Sequence, residues 1–156
     1  MKLDKLNQWL VLGANIGVIV GIIFLAQEVA QNNLMMKAQT RNAIAQETSD
    51  ILFERIVTRD LAEVMIKGMN GEELDAIDNV RFRSIQSAQF RHFENIYYQY
   101  KLGLYDELEY EAQLRAWKIV IFTQKGGINV WCTSHDAYSE DFAAEMDKLL
   151  PSGKCK

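Results

Sequence analysis

The stretch that decides the fold of this chain is residues 9–33, WLVLGANIGVIVGIIFLAQEVAQNN. Its first part, residues 9–26, carries no charged side chain, and Asn15 is its only strongly polar one. At the rise of an α-helix this part spans roughly 27 Å, which is close to the hydrocarbon thickness of a bilayer. The sequence therefore predicts a transmembrane helix over residues 9–26, preceded by an N-terminal flank at residues 1–8.

We expect this helix to remain as an uncleaved anchor. A signal peptide has a shorter apolar region followed by small residues at its cleavage site, whereas bulky or charged residues such as Leu25 and Glu28 stand near the end of this one. An interfacial helix has a polar face opposite an apolar one. This segment is apolar on all sides except at Asn15, which favours a helix that spans the membrane.

Three glycines form a stripe along the predicted anchor, because they recur at every fourth residue and share an arc about 80° wide at helical spacing. A face without side chains lets another helix approach closely. The polar residues just after the span continue the stripe on the same face of the helix. Asn15 projects from the opposite face, where its amide needs either a second neighbouring helix or a position near the headgroups. The predicted helix-packing interface consists of Gly13, Asn15, Gly17, Gly21, Gln27, Glu28 and Gln31. Among these we select Glu28 as the first candidate for a functional residue.

The charges beside the anchor suggest its orientation. Lys2 and Lys5 precede it, and basic residues favour the cytoplasmic side. We therefore expect a cytoplasmic N-terminus and an exported C-terminal domain, although the opposite topology stays open. Cys132 and Cys155 would then form a disulfide in an oxidising compartment, the alternative being two reduced thiols.

Beyond the membrane the pattern is helical throughout, and the chain has a single proline, Pro151. The sequence predicts an all-α fold, with a helical extension over residues 27–59 and a small soluble helical bundle over residues 60–156. The expected helices of the bundle are Asp60 to Gly68 with a capping box at Asp60 and Glu63, Glu72 or Leu74 to Leu102, Glu107 to Thr123 capped by Asp106, Ile128 to Cys132 after a break at Lys125-Gly126-Gly127, and Ser139 to Leu150.

An aromatic stripe follows the longest of these helices and is expected to form the centre of the bundle. Its members recur at helical spacing: Phe82, Ile85, Gln89, Phe90, Phe93, Tyr97, Tyr100 and Leu104. We expect them to pack against Leu114, Trp117, Ile121 and Phe122 of the next helix.

Neither composition nor motif predicts chemistry. The net charge is −4 and no basic cluster exceeds the Arg81/Arg83 pair, which argues against nucleic-acid binding. His92 and Glu94 are two residues apart and point to different faces of a helix, and the consecutive Ser134-His135-Asp136 has the wrong geometry for a triad. The histidines and cysteines lack metal-ligand spacing. The sequence thus predicts no enzyme, no metal and no cofactor.

The chain resembles a family of small, uncharacterised bacterial single-pass membrane proteins with an FLxxExxQN anchor. The stretches that carry the resemblance are WLVLGANIGVIVGIIFLAQEVAQNN, RFRSIQSAQFRHFENIYYQYKLGLYDE and SEDFAAEMDKLL. Matching positions are Phe24, Leu25, Glu28, Gln31, Asn32, Arg91, Tyr98, Gln99, Tyr100, Gly103 and Phe142. The resemblance implies a helical single-pass protein of the bacterial inner membrane, in which the exported domain would lie in the periplasm, and it brings no activity with it.

The expected function is that of a membrane-anchored helical interaction protein, either self-assembling or an accessory subunit of a larger membrane complex. The alternative is a membrane-tethered sensor that holds a small ligand among Phe90, Phe93, Tyr97 and Trp117. An enzyme would need a cleft that joins His92 or His135 to carboxylates distant in the sequence.

Overall fold

The computed structural model describes residues 2–151 and Cys155, without the side chains of Lys2 and Ile56. These residues form six α-helices and one turn of 3₁₀-helix, and no β-strand occurs among them. The helices are α1 (Lys2–Ile56), α2 (Arg59–Asn70), α3 (Ala76–Lys101), α4 (Glu107–Val120), α5 (Lys125–Ser134) and α6 (Glu140–Asp147), with the 3₁₀ turn at His135–Ala137. The predicted all-α fold is confirmed.

The chain divides into two compact units, residues 1–39 and residues 40–156. The described side chains of the first unit all belong to α1 and are exposed. Within the described residues α1 is the one helix long and apolar enough to cross a membrane, and the predicted transmembrane residues 9–26 lie within it.

The second unit is a helical bundle that includes the end of α1. It begins at Thr40, inside the segment 27–59 that the sequence describes as an extension. Ile44 of α1 is buried in the same hydrophobic core as Phe90 and Trp131. The last part of α1 is therefore one of the helices of the bundle.

Aromatic rings fill the centre of the bundle, as the stripe on α3 predicts. Phe93 stacks on Trp117 of α4 with ring centroids 4.0 Å apart, and Tyr100 stacks on Tyr110 at 4.2 Å. The sequence did not single out Trp131 of α5, which is completely buried and lies 5.1 Å from the ring of Phe90. Three helices, α3, α4 and α5, thus share one aromatic core.

Two predicted helix starts are wrong, each because another residue caps the helix. The Thr58 hydroxyl accepts the Leu61 N–H at 3.2 Å and starts α2 before Asp60, whose carboxylate pairs with Arg81 instead. Asp75 caps α3, which begins at Ala76 rather than near Glu72. Both caps are short oxygen-bearing side chains in extended backbone, which is the usual N-cap geometry.

The predicted ends of α2 and α6 also shift. α2 continues through Gly68 to Asn70, and Gly71, with a φ of 75°, closes it; only glycine adopts that conformation without strain. α6 ends at Asp147 rather than at Leu150. By contrast, α4 begins after Asp106 as predicted, and the Asp106 carboxylate accepts the Leu108 N–H at 2.9 Å.

The predicted break at Lys125-Gly126-Gly127 is wrong, since these residues form the first turn of α5. A Cβ atom on Gly126 would collide with the carbonyl group of Gly68 in α2, and one on Gly127 would collide with the carbonyl of Ile121. The glycines therefore serve the close approach of α5 to its neighbours and not the end of a helix.

Candidate functional site

The residues of the predicted helix-packing interface all lie on α1 in the first unit, and all seven are exposed. At Gly13, Gly17 and Gly21 an added Cβ atom would meet nothing within 4 Å. The glycine stripe, as we call these three residues, is thus open along its length. In this state it can accept the backbone of a second helix at short distance.

A cleft of about 810 Å³ lies between α3 and the start of α6. Its walls include Arg91, Tyr98 and Lys101 from α3 and Asp141 from α6. Four of the charged groups in it form two pairs: Arg91 Nη1 lies 2.7 Å from Glu94 Oε2, and Lys101 Nζ lies 3.3 Å from Asp141 Oδ2. The Lys101–Asp141 pair joins α6 to α3, whereas the Arg91–Glu94 pair lies within α3.

Glu94 is the best-fixed carboxylate of this α3/α6 cleft. Its Oε1 accepts the backbone N–H of Ser139 at 2.9 Å, which caps the N-terminus of α6 from another helix. Burial alone would raise the pKa of the Glu94 carboxyl, but the hydrogen bonds from Ser139 and Arg91 outweigh it and lower the pKa. The Arg91 contact lies within α3, whereas the Ser139 contact joins α3 to the start of α6.

The four rings that the sequence offered as a ligand pocket do not enclose one. Phe90, Phe93 and Trp117 are at most 3% exposed, and the 4.0 Å stack of Phe93 on Trp117 fills the space between α3 and α4. Tyr97 alone of the four borders the α3/α6 cleft. The rings form the core that positions the cleft, and their close packing counts against a small ligand held among them.

His92 meets a carboxylate distant in the sequence, although not in a cleft. Its Nδ1 lies 2.9 Å from Glu47 Oε2, close enough for an ion pair but not aligned as a hydrogen bond. Its Nε2 lies 2.8 Å from the Thr48 hydroxyl. The side chain is only 2% exposed, so a substrate could not reach it, and the cluster fastens α1 to α3.

The other histidine and the cysteines lie around α5. His135 Nε2 contacts the exposed carboxylate of its neighbour Asp136 at 3.2 Å. Cys132 and Cys155 form a disulfide. Of the two alternatives that the sequence left open, the structure thus contains the disulfide and not two reduced thiols. Among the described residues no group of three or more histidine, cysteine or acidic side chains could hold a metal ion.

No family model, no curated protein and no solved structure matches this chain. The resemblance to single-pass membrane proteins with an FLxxExxQN anchor therefore stays a prediction.

Proposed function

We propose that this protein is a non-catalytic, membrane-anchored interaction protein, which associates with its partner through the glycine stripe of α1. The partner is a second copy of this chain or a subunit of a larger membrane complex. The observation that carries the proposal is the open space at Gly13, Gly17 and Gly21. The side chains around these glycines on α1 are apolar and exposed.

The energetics of a bilayer favour this use of the stripe. Apolar side chains gain nothing from leaving lipid for one another, so helices associate there through close packing and through polar contacts. The stripe supplies the close packing, and Gln27, Glu28 and Gln31 supply polar groups near the headgroups, where they remain hydrated. Helix association and polar recognition would then occur on one face of α1.

We place the protein in a bacterial inner membrane with residues 40–156 in the periplasm. Lys2 and Lys5 before the apolar segment favour a cytoplasmic N-terminus. The disulfide between Cys132 and Cys155 supports the periplasm, because structural disulfides persist in oxidising compartments.

The test is chemical cross-linking in the native membrane, followed by size analysis of the full chain in mild detergent. Wild type is expected in a cross-linked complex, and Gly17→Leu is expected to reduce that complex at least about tenfold because the side chain separates the helices. Ala26→Leu is the matched control, since Ala26 projects about 180° from the centre of the stripe and should tolerate leucine. A wild-type protein that is monomeric and cross-links to nothing would overturn the proposal, as would a Gly17→Leu variant that associates normally.

A further inference from the structure

A second cleft lies on the bundle where α1, α2 and α4 meet the start of α5. Its volume is about 340 Å³, within the range of small-ligand pockets. One cation, Arg55 at the end of α1, lies in its wall. We call it the Arg55 cleft.

Arg55 is a partly buried cation without a counter-charge. No carboxylate of the described residues forms an ion pair with it. Most of the other described arginines do pair with carboxylates, namely Arg41, Arg59, Arg81, Arg91 and Arg115, while Arg83 donates to the Thr133 hydroxyl at 3.1 Å. Its Nη2 donates to Gln86 Oε1 at 2.9 Å, while its Nε is buried without any hydrogen-bond partner. Burial accordingly lowers the pKa of the guanidinium.

The protein compensates this charge only in part. The C-terminal carbonyls of α1 favour a cation nearby, and Gln86 supplies one neutral oxygen. Gln86 is itself completely buried, and its Nε2 finds only the thioether of Met69 at 3.1 Å, which is a weak acceptor. A buried charge without an anionic partner is costly, so an anion in the cleft would complete an unfinished network.

The remaining walls define the rest of the ligand. Gln124 offers a side-chain amide at the cleft, which can donate to a carboxylate beside the planar guanidinium fork. Asn70 also lies in the wall, and its Nδ2 donates to Glu72 Oε1 at 2.9 Å. Met65, Met69 and Val120 supply an apolar surface, and methionine adapts to flexible chains. A single cation and no lysine in the wall suit one negative charge better than the two of a phosphate monoester.

We propose that the Arg55 cleft binds a monoanionic amphiphile, with its carboxylate on the guanidinium and its short apolar chain along the methionines. This site is separate from the glycine stripe and does not depend on the proposed association of α1.

Octanoate is the probe, added to the full chain in nanodiscs with ¹³C-methyl methionine as the label. Octanoate is expected to shift the methyl signals of Met65 and Met69. The methyl signal of Met146 should stay unchanged, because this residue is completely buried elsewhere in the core. Octanol has the same chain without the charge and acetate has the charge without the chain. Both are expected to bind at least about tenfold more weakly than octanoate.

Two variants identify the charge that binds. Arg55→Met is expected to weaken octanoate binding at least about tenfold, and Arg55→Lys, which keeps the charge but loses the bidentate fork, should bind more weakly than wild type and remains informative if Arg55→Met fails to fold. Arg59→Met is the matched control, because Arg59 is 93% exposed and pairs only with Glu63. The proposal is overturned if octanol shifts the same signals equally, if Arg55→Lys and Arg59→Met bind alike, or if octanoate at about 10 mM shifts neither methionine.

Discussion

At the scale of single residues, Glu94 of α3 joins its helix to the start of α6 through one of its carboxylate oxygens. One oxygen accepts from Arg91 of its own helix, and the other accepts the N–H of Ser139 at the start of α6. A carboxylate at a helix N-terminus also interacts favourably with the helix dipole. Ser139, which occupies the N-cap position, makes no side-chain cap of its own. The cap of α6 is thus a tertiary contact.

Glu94→Gln is expected to lower the free energy of unfolding by about 1–2 kcal/mol at neutral pH, because hydrogen bonds to a charged acceptor become weaker neutral ones. The pKa of Glu94 is lowered in the folded protein. The carboxylate therefore stabilises the fold above the pKa of an unfolded glutamate, about 4.3, and this contribution is lost as the pH falls through the folded value. The difference between variant and wild type should be largest near neutral pH and should shrink at about pH 3.

Urea unfolding across this pH range, followed by tryptophan fluorescence, measures the effect. Glu111→Gln is the control, since Glu111 is 54% exposed and lies 3.7 Å from Arg115 on the same helix. Such surface ion pairs contribute little to the free energy of unfolding. If Glu94→Gln lowers the free energy of unfolding by the same amount at every pH, the stabilising role of the charged carboxylate is contradicted.

At the scale of elements, the last part of α1 is fastened to α3 by polar contacts as well as by Ile44. Thr48 Oγ1 donates to the Ile44 carbonyl at 2.8 Å and lies 2.8 Å from His92 Nε2. About two turns further along α1, Arg55 reaches Gln86 of α3. Two buried polar residues of α3 thus depend on α1 for their partners.

Thr48→Val keeps the shape of the side chain and removes the partner of His92. A buried ring nitrogen without a partner costs about 1–3 kcal/mol, so the free energy of unfolding should fall by that amount. The neighbouring Ser49→Ala removes an exposed hydroxyl that bonds only to the Ala45 carbonyl, and it should change stability by less than about 0.5 kcal/mol. Equal stability of the two variants in urea unfolding would show that the contact between α1 and α3 does not need the hydroxyl.

At the scale of the whole molecule, the disulfide ties the end of the chain back to α5. Cys132 and Cys155 are separated by 23 positions in the sequence, and a cross-link that closes a loop of this size restricts the unfolded chain. Cys155 also packs against the hydrophobic core. The bond therefore links the stability of the bundle to the redox state of its compartment.

Cys155→Ser is expected to lower the free energy of unfolding by about 3 kcal/mol, on the loop-closure relation for disulfides. Dithiothreitol should lower the stability of wild type by a similar amount and leave the variant unchanged. The bond should also be present in the cell, which mass spectrometry after rapid acid quenching and thiol alkylation can check. Two alkylated cysteines in wild type would contradict the periplasmic placement of the bundle.

Much of the fold was predictable because local rules decide it. The apolar length of residues 9–26 and the absence of proline before Pro151 sufficed for the long α1 and for the all-α class. Asp106 as a cap and Gly103, with a φ of 71°, as the end of α3 follow from the same local chemistry. The glycine stripe is likewise visible in the sequence, since it depends only on helical spacing.

Tertiary structure decided what depends on contacts between distant residues. The Gly126-Gly127 pair resembles a helix break when taken alone, but the carbonyl of Gly68 in α2 explains it as a point of close packing. The burial of Trp131 follows from that packing of α5. Arg55 stands among other charged side chains in the sequence, and only the folded bundle shows that it faces a cleft without a carboxylate. Sequence spacing determines which face of a helix a residue occupies, whereas burial and pairing depend on which helix covers that face.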